Sequence, residues 1–231
     1  MKAKQNPQKI LILDSGPIIN FSMNGLIYLL EELKKNFSGK FIITEDVKKE
    51  IYDKPITIQR FELEALRIKE LIDSHVLELP ESIGIKKQDL EVATEEIMVL
   101  ANKSFKTRDK FINILSKAET SCLALSRELT KRKVENVIAI DERTARILCE
   151  KPENLEKLMS HRLHSKVQLV SNQIKELKNF KFLRSSELAY VAYKKGLTKI
   201  KNPKALEALL YSTKFKGASI SWDEVNALKK L

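Results

Sequence analysis

Two short, uninterrupted apolar runs, each closed by an aspartate, constrain this chain most. Ile10-Leu11-Ile12-Leu13 ends on Asp14-Ser15-Gly16-Pro17, and Val137-Ile138-Ala139-Ile140 ends on Asp141. Runs without polar alternation are what strands buried on both faces require, and such strands belong to parallel sheets covered by helices. If the two are neighbouring parallel strands, Asp14 and Asp141 emerge at one sheet edge. That carboxyl edge is where open α/β sheets place their sites.

The rest of the chain supports this class. Phe41-Ile42-Ile43 reads as a second strand. Thr44 or Asp46 can cap a helix holding Val47, Glu50 and Ile51. Helical spacing follows Ile18-Ile19, restarts near Asn24, and runs over 57–74, with a short extended piece at Val76–Leu79. The stretch 86–134 has no Pro or Gly and is expected to be strongly helical, with Ala118, Cys122, Leu125 and Leu129 on one stripe. Helices are expected over 142–149 and from Pro152, and Val167-Gln168-Leu169-Val170 as a last core strand. Further helices follow near 173–180, 185–195 and 203–213. Ser221 with Glu224 forms a capping box for a closing helix. The expected architecture is a three-layer α/β/α domain over 9–172 with a mostly parallel central sheet. A helical insertion covers about 81–117, and a helical appendage covers 173–231.

Charge narrows the partners. Lys and Arg number 42 against 31 Asp and Glu, a net charge of +11. An anionic partner is expected: RNA, DNA or an anionic surface. No apolar stretch approaches the roughly 20 residues that span a bilayer. The polar start Met1–Asn6 and the early Asp14 do not read as a signal peptide. The expected location is the cytoplasm, without membrane attachment. Cys122 and Cys149 lie among apolar neighbours and read as buried free thiols.

Two more acids join the strand-end pair. Glu50 falls early on the helix after the second strand. Glu119 lies three residues before Cys122, so that helix can be anchored by Cys122 and Leu125 while Glu119 stands at its rim. Carboxylates packed together raise one another's pKa unless positive charge compensates them. Mg²⁺ or Mn²⁺ does so with oxygen ligands and retained waters, and could activate water against a phosphodiester. Ser15 could donate to Asp14 or to a phosphate; Asn20, Glu142 and Thr144 are supporting candidates. Each acid also has a plainer reading. Asp14 can make a turn or cap a helix, Asp141 can cap the helix after it, and Glu50 beside Lys48, Lys49 and Lys54 can be a solvated surface acid.

The four motifs in order resemble the PIN domain, a metal-dependent ribonuclease fold. They are Ile10–Ser15, Val47-Lys48-Lys49-Glu50, Ala118-Glu119 ahead of Cys122-Leu123-Ala124, and Ile138-Ala139-Ile140-Asp141. Asp141–Arg146 looks like an archaeal variant, and the match covers roughly residues 9–172. The resemblance implies that Asp14, Glu50, Glu119 and Asp141 hold Mg²⁺ or Mn²⁺ and catalyse RNA cleavage, lost in Asp14→Asn or Asp141→Asn. The insertion and the appendage depart from compact members. The resemblance also allows a homodimer.

Basic residues then become candidate phosphate contacts: Arg143 and Arg146 after Asp141, and Arg127, Lys131, Arg132 and Lys133 at the end of the Glu119 helix. The latter group can equally be a solvated helix terminus. His161 and His164 lack partners for a metal site, and Trp222 reads as packing. The alternative function is a non-catalytic RNA-binding or RNA-processing assembly factor. A toxin-like growth inhibitor, a phosphatase or a DNA-directed nuclease remain further readings of the same cluster.

Overall fold

The computed structural model describes residues 9–108 and 110–231. The polar stretch Met1–Asn6 lies outside the described residues. The main sheet has four parallel strands in the order β2-β1-β5-β7: β1 (Lys9–Leu13), β2 (Lys40–Ile42), β5 (Glu135–Ala139) and β7 (Phe182–Leu183). β1 and β5 pair over five residues, from Lys9 opposite Glu135 to Leu13 opposite Ala139. The backbone N–H of Asp14 still donates to the Ala139 carbonyl at 2.9 Å. The two apolar runs are therefore adjacent and in register, as their composition requires.

Helices cover both faces. α6 (Lys117–Lys131) packs on β1 and β5, backed by α5 (Lys87–Asn102) and α3 (Glu45–Lys48). Its stripe Ala118, Cys122, Leu125 and Leu129 is buried. The opposite face carries α1 (Ser15–Met23) and α2 (Tyr28–Lys35), against which α9 (Ser185–Lys194) packs. α4 (Glu62–Asp73), α7 (Arg143–Glu150) and α8 (Pro152–Leu163) complete the shell. The arrangement is a mixed α/β fold with a parallel sheet between helical layers. No helix among the described residues is long and apolar enough to cross a membrane.

Two expectations change. The insertion around 81–117 holds α5, but also β3 (Phe105–Thr107) and β4 (Lys110–Phe111) of a second, antiparallel sheet. Val167–Leu169, expected in the core sheet, is β6 and pairs with β3 in that small sheet. Its exposed Gln168 between Val167 and Leu169 is the alternation of a strand covered on one face only. The fourth strand of the main sheet is β7 instead, too short for any periodicity to mark it.

Beyond α9, α10 (Ala205–Phe215) and α11 (Trp222–Lys230) enclose a small core of Leu210, Ala218, Ile220 and Val225. Ser221 and Glu224 form the expected capping box. Both buried thiols are free.

Gly39, at the entry to β2, has no room for a side chain. A Cβ there would lie 2.2 Å from the Lys9 carbonyl oxygen and 2.5 Å from the Phe37 ring. Lys9 is held in the β1 ladder, so its backbone cannot retreat without loss of pairing. Gly39→Ala is expected to destabilise the fold by about 2 kcal/mol or more, read as a lower urea midpoint at unchanged m-value.

Candidate metal centre

Each acid reaches the sheet edge by a different local device. Asp14 directly follows β1 and is the N-cap of α1, with Oδ2 accepting from Gly16 N at 3.5 Å. Glu50 lies on a π-helical turn, Lys49–Asp53, that continues α3. Such insertions in a helix re-aim side chains and are frequent at functional sites. Glu119 is the third residue of α6, locked in a capping box: Ser116 N donates to Oε2 at 2.7 Å, while Glu119 N donates to Ser116 Oγ at 3.2 Å. A 2.6 Å hydrogen bond between Thr44 and Ser121 hydroxyls ties the start of α3 to α6, setting the turn that carries Glu50 against the helix that carries Glu119.

Ser15 donates to Glu50 Oε2 at 2.7 Å, so it supports Glu50 and not Asp14 as a side-chain donor. Asp14 is buried, and its Oδ1 has no hydrogen-bond partner. Burial pushes its carboxyl from the ordinary 3.8 up to about 7, with repulsion from Glu119 and Glu50 adding to the rise and the N–H groups of Ser15 and Gly16 opposing it. Glu119 is also raised. Burial is the main cause, Ser116 N–H works against it, and the carboxylates of Glu142 and Glu50 push it further. None of Asp14, Glu50, Glu119 and Glu142 has a Lys or Arg within ion-pair distance among the described residues.

Asp141 follows β5 at the carboxyl edge, as expected, but with both of its carboxylate oxygens already hydrogen-bonded. Its Oδ1 accepts from Ser185 N at 2.7 Å and its Oδ2 from Asn20 Nδ2 at 3.2 Å. Asn20 also donates to the Thr213 carbonyl at 2.8 Å. Asp141 thus turns its carboxylate toward the start of α9 and joins β5 to α1 and α9, while Asn20 carries the connection on to α10. Burial raises its pKa, the Ser185 and Asn20 bonds oppose that, and Glu187 raises it again. The acid after β5 that senses the cluster is its neighbour, Glu142, with Thr144 donating to it from both backbone and hydroxyl as the N-cap of α7. The sequence signal for this was the second acid of Asp141-Glu142. At the contact between α1 and the end of β5, a Cβ on Gly16 would lie 3.3 Å from Asp141 Cβ and 3.7 Å from Asp14 Oδ2. That spacing leaves glycine as the comfortable residue.

The donor set bears directly on a metal. Among the described residues, no three His, Cys, Asp or Glu side chains are spaced to hold an ion between them. A dehydrated, all-protein cage does not fit. An ion that keeps most of its waters and takes one or two direct carboxylate ligands, as Mg²⁺ and Mn²⁺ do at substrate sites, fits the orphaned Asp14 Oδ1 amid uncompensated acids. The cationic candidates divide. Arg127 pairs with Glu96 at 2.7 Å and Lys131 with Glu128 at 2.7 Å, while Arg132 donates to the Gly84 carbonyl at 3.1 Å. The structure commits those three to local partners, with Lys133 exposed beside them. Arg143 and Arg146 instead lie on α7 and line a groove with the start of α8 and the segment after α10. The chain matches no protein-family model, no curated protein and no solved structure.

The raised Asp14 has a stability consequence. Below about pH 4 the carboxyl is protonated in both folded and unfolded chains. Between about pH 4 and 7 the unfolded chain releases a proton that the folded protein keeps, so stability falls as pH rises through that window and levels off above it. Asn keeps the N-cap and removes the titration. Asp14→Asn is therefore expected to stabilise metal-free protein at pH 8 by on the order of 2–4 kcal/mol, and by little near pH 4. Urea unfolding in EDTA at the two pH values reads this.

Proposed function

We propose that this protein is a divalent-metal-dependent endoribonuclease of PIN-like architecture, hydrolysing RNA phosphodiester bonds at the cluster of acids around Asp14. One observation carries the reading: a buried carboxylate oxygen of Asp14 without a partner, surrounded by acids and without compensating basic charge. Folding gains nothing from such a group, and a cation is the natural complement. Asp14 and Glu119 would hold Mg²⁺ or Mn²⁺, with Glu50 and Glu142 supplying outer charge. The bound ion would polarise the phosphate and make water a better nucleophile.

The chain's own part follows from the geometry. Asp14 must lose its proton before its Oδ1 can act as a ligand. Glu119, held by Ser116 through one oxygen only, keeps its other oxygen for the ion, and since burial with the nearby acids raises it, it too must lose its proton first. The Ser15 hydroxyl ties Glu50 to the residue next to Asp14. Asp141 holds the framework rather than the ion. The buried free thiols Cys122 and Cys149 suit a reducing compartment, and we place the protein in the cytoplasm.

The alternative is a non-catalytic RNA-binding or RNA-processing assembly factor. Two observations favour it: no three acids are spaced to hold an ion between them among the described residues, and Asp141 is occupied structurally. The two readings separate on divalent dependence. Under the first, Mn²⁺-dependent cleavage of a mixed RNA panel falls on the order of 100-fold or more in Asp14→Asn and Glu119→Gln. Asp141→Asn, which keeps an acceptor for Ser185, loses less. Full-length protein that leaves every RNA intact at high Mn²⁺, while binding it equally well with and without EDTA, decides for the second.

A pH dependence follows as well. Metal binding competes with the Asp14 proton. At limiting Mn²⁺ the cleavage rate should rise with pH to a midpoint near 7, and saturating Mn²⁺ should move that midpoint down. A midpoint unmoved by Mn²⁺ in a pH–rate profile would assign the titration to another group.

A further inference from the structure

A groove with a cavity volume of about 990 Å³ runs between α7, the start of α8 and the segment joining α10 to α11. Its walls carry Arg143, Arg146, Lys151, Lys157, Arg184 and Lys214 against only two acids, Glu150 and Glu224. Glu224 is already paired with Arg184 at 2.9 Å. Arg143, Arg146, Lys151 and Lys157 make no ion pair among the described residues. Arg146 and Arg184 are brought together by one acceptor. Both donate to the Ser219 carbonyl, at 2.9 and 3.0 Å. The Nε of Arg146 is buried without a partner, and the neighbouring Arg184 works with burial to lower the pKa of Arg146. Arg184 is already engaged by Glu187 and Glu224, so anion binding in the groove falls to Arg146 together with Arg143, Lys151 and Lys157.

The rim adds a second chemistry. Phe215 lines the groove and is 74% exposed, and Trp222 stands edge-on to it at 5.9 Å, itself 50% exposed. Lys214 Nζ sits 4.5 Å from the Trp222 ring centre. Large aromatic rings left in water beside unpaired cations are the recurring elements of single-strand nucleic-acid surfaces, where phosphates follow the charge and bases stack on the rings. A duplex keeps its bases inside and cannot use the rings.

We propose that this groove binds single-stranded RNA, with phosphates along Arg143, Arg146 and Lys157 and a base on Phe215 and Trp222. Its partner class rests on the RNA reading above. The C-terminal helices thereby form one wall of a substrate track. The track starts at Arg143, next in sequence to Glu142, whose carboxylate raises the pKa of Glu119.

The test is fluorescence polarisation of full-length protein with a short labelled oligouridylate, in EDTA, across a salt series. Arg143→Glu with Lys157→Glu should weaken binding about 10-fold or more and flatten the salt dependence by about two units. Phe215→Ala should weaken single-strand binding several-fold and leave duplex RNA binding unchanged. Arg143→Gln with Lys157→Gln, milder at these surface positions, should give an intermediate loss with unchanged thermal unfolding. Variants that bind like wild type overturn the proposal. So does a duplex bound as tightly as the single strand, or a polyglutamate peptide bound where RNA is not. Binding in EDTA is blind to hydrolysis. A protein that binds through these residues but never cleaves removes the nuclease reading alone; one that cleaves while the groove variants bind unchanged removes the groove alone.

Discussion

The five-residue parallel pairing of β1 with β5 underlies everything else in this protein. It brings chain segments more than 120 residues apart to one edge, in a register fixed through the Asp14 N–H to the Ala139 carbonyl. A one-residue slip would turn every side chain of β1 to the opposite face. Ile12 and Leu13 are fully buried, and so are Ile138 and Ala139, so packing on both faces forbids the slip. Asp14 and Glu119 can repel one another without opening the fold because their backbones are held by this ladder and by the caps of α1 and α6.

At that edge the two strand-end aspartates have separate work. Asp141 is satisfied on both oxygens and links β5 to α1 and α9. Asp14 is left with a bare oxygen and a pKa near 7. The difference is not in the residue type but in what stands opposite. An α9 N-terminal N–H and the Asn20 amide face Asp141, whereas Glu119 and Glu50 face Asp14. The C-terminal helices are joined to the same place. Ser219 N donates to the Asp141 carbonyl at 3.1 Å, and Asn20 reaches Thr213. The acids at the sheet edge and the basic groove are therefore tied to one another through Asp141, with Glu142 and Arg143 adjacent in sequence at the start of α7.

Much of this was legible in the sequence. The parallel strands, the helical stripe Ala118–Leu129 and the Ser221–Glu224 capping box follow from local patterns that tertiary structure reinforces. What was not legible depended on distant partners. The direction of the Asp141 carboxylate is set by Ser185, 44 residues on. β7 has two residues and no period of its own. Arg127 looked free until α5 brought Glu96 to it. The small sheet was hinted at by the alternation in Val167-Gln168-Leu169, which an apolar reading of that segment overrode. Trp222, expected to pack, does contact Tyr211 and Phe215, but half of it remains in water.

The orphaned oxygen of Asp14 is the proposed cation ligand. Anomalous scattering from a crystal grown at pH 8 with Mn²⁺ addresses it most directly. One strong manganese peak is expected in contact with Asp14 Oδ1, with Glu119 and Glu50 around it, Asp141 still bonded to Ser185 and Asn20, and no peak in Asp14→Asn. A wild-type map without manganese at Asp14 under saturating Mn²⁺, with that carboxyl hydrogen-bonded as a neutral acid to a neighbour, would contradict it.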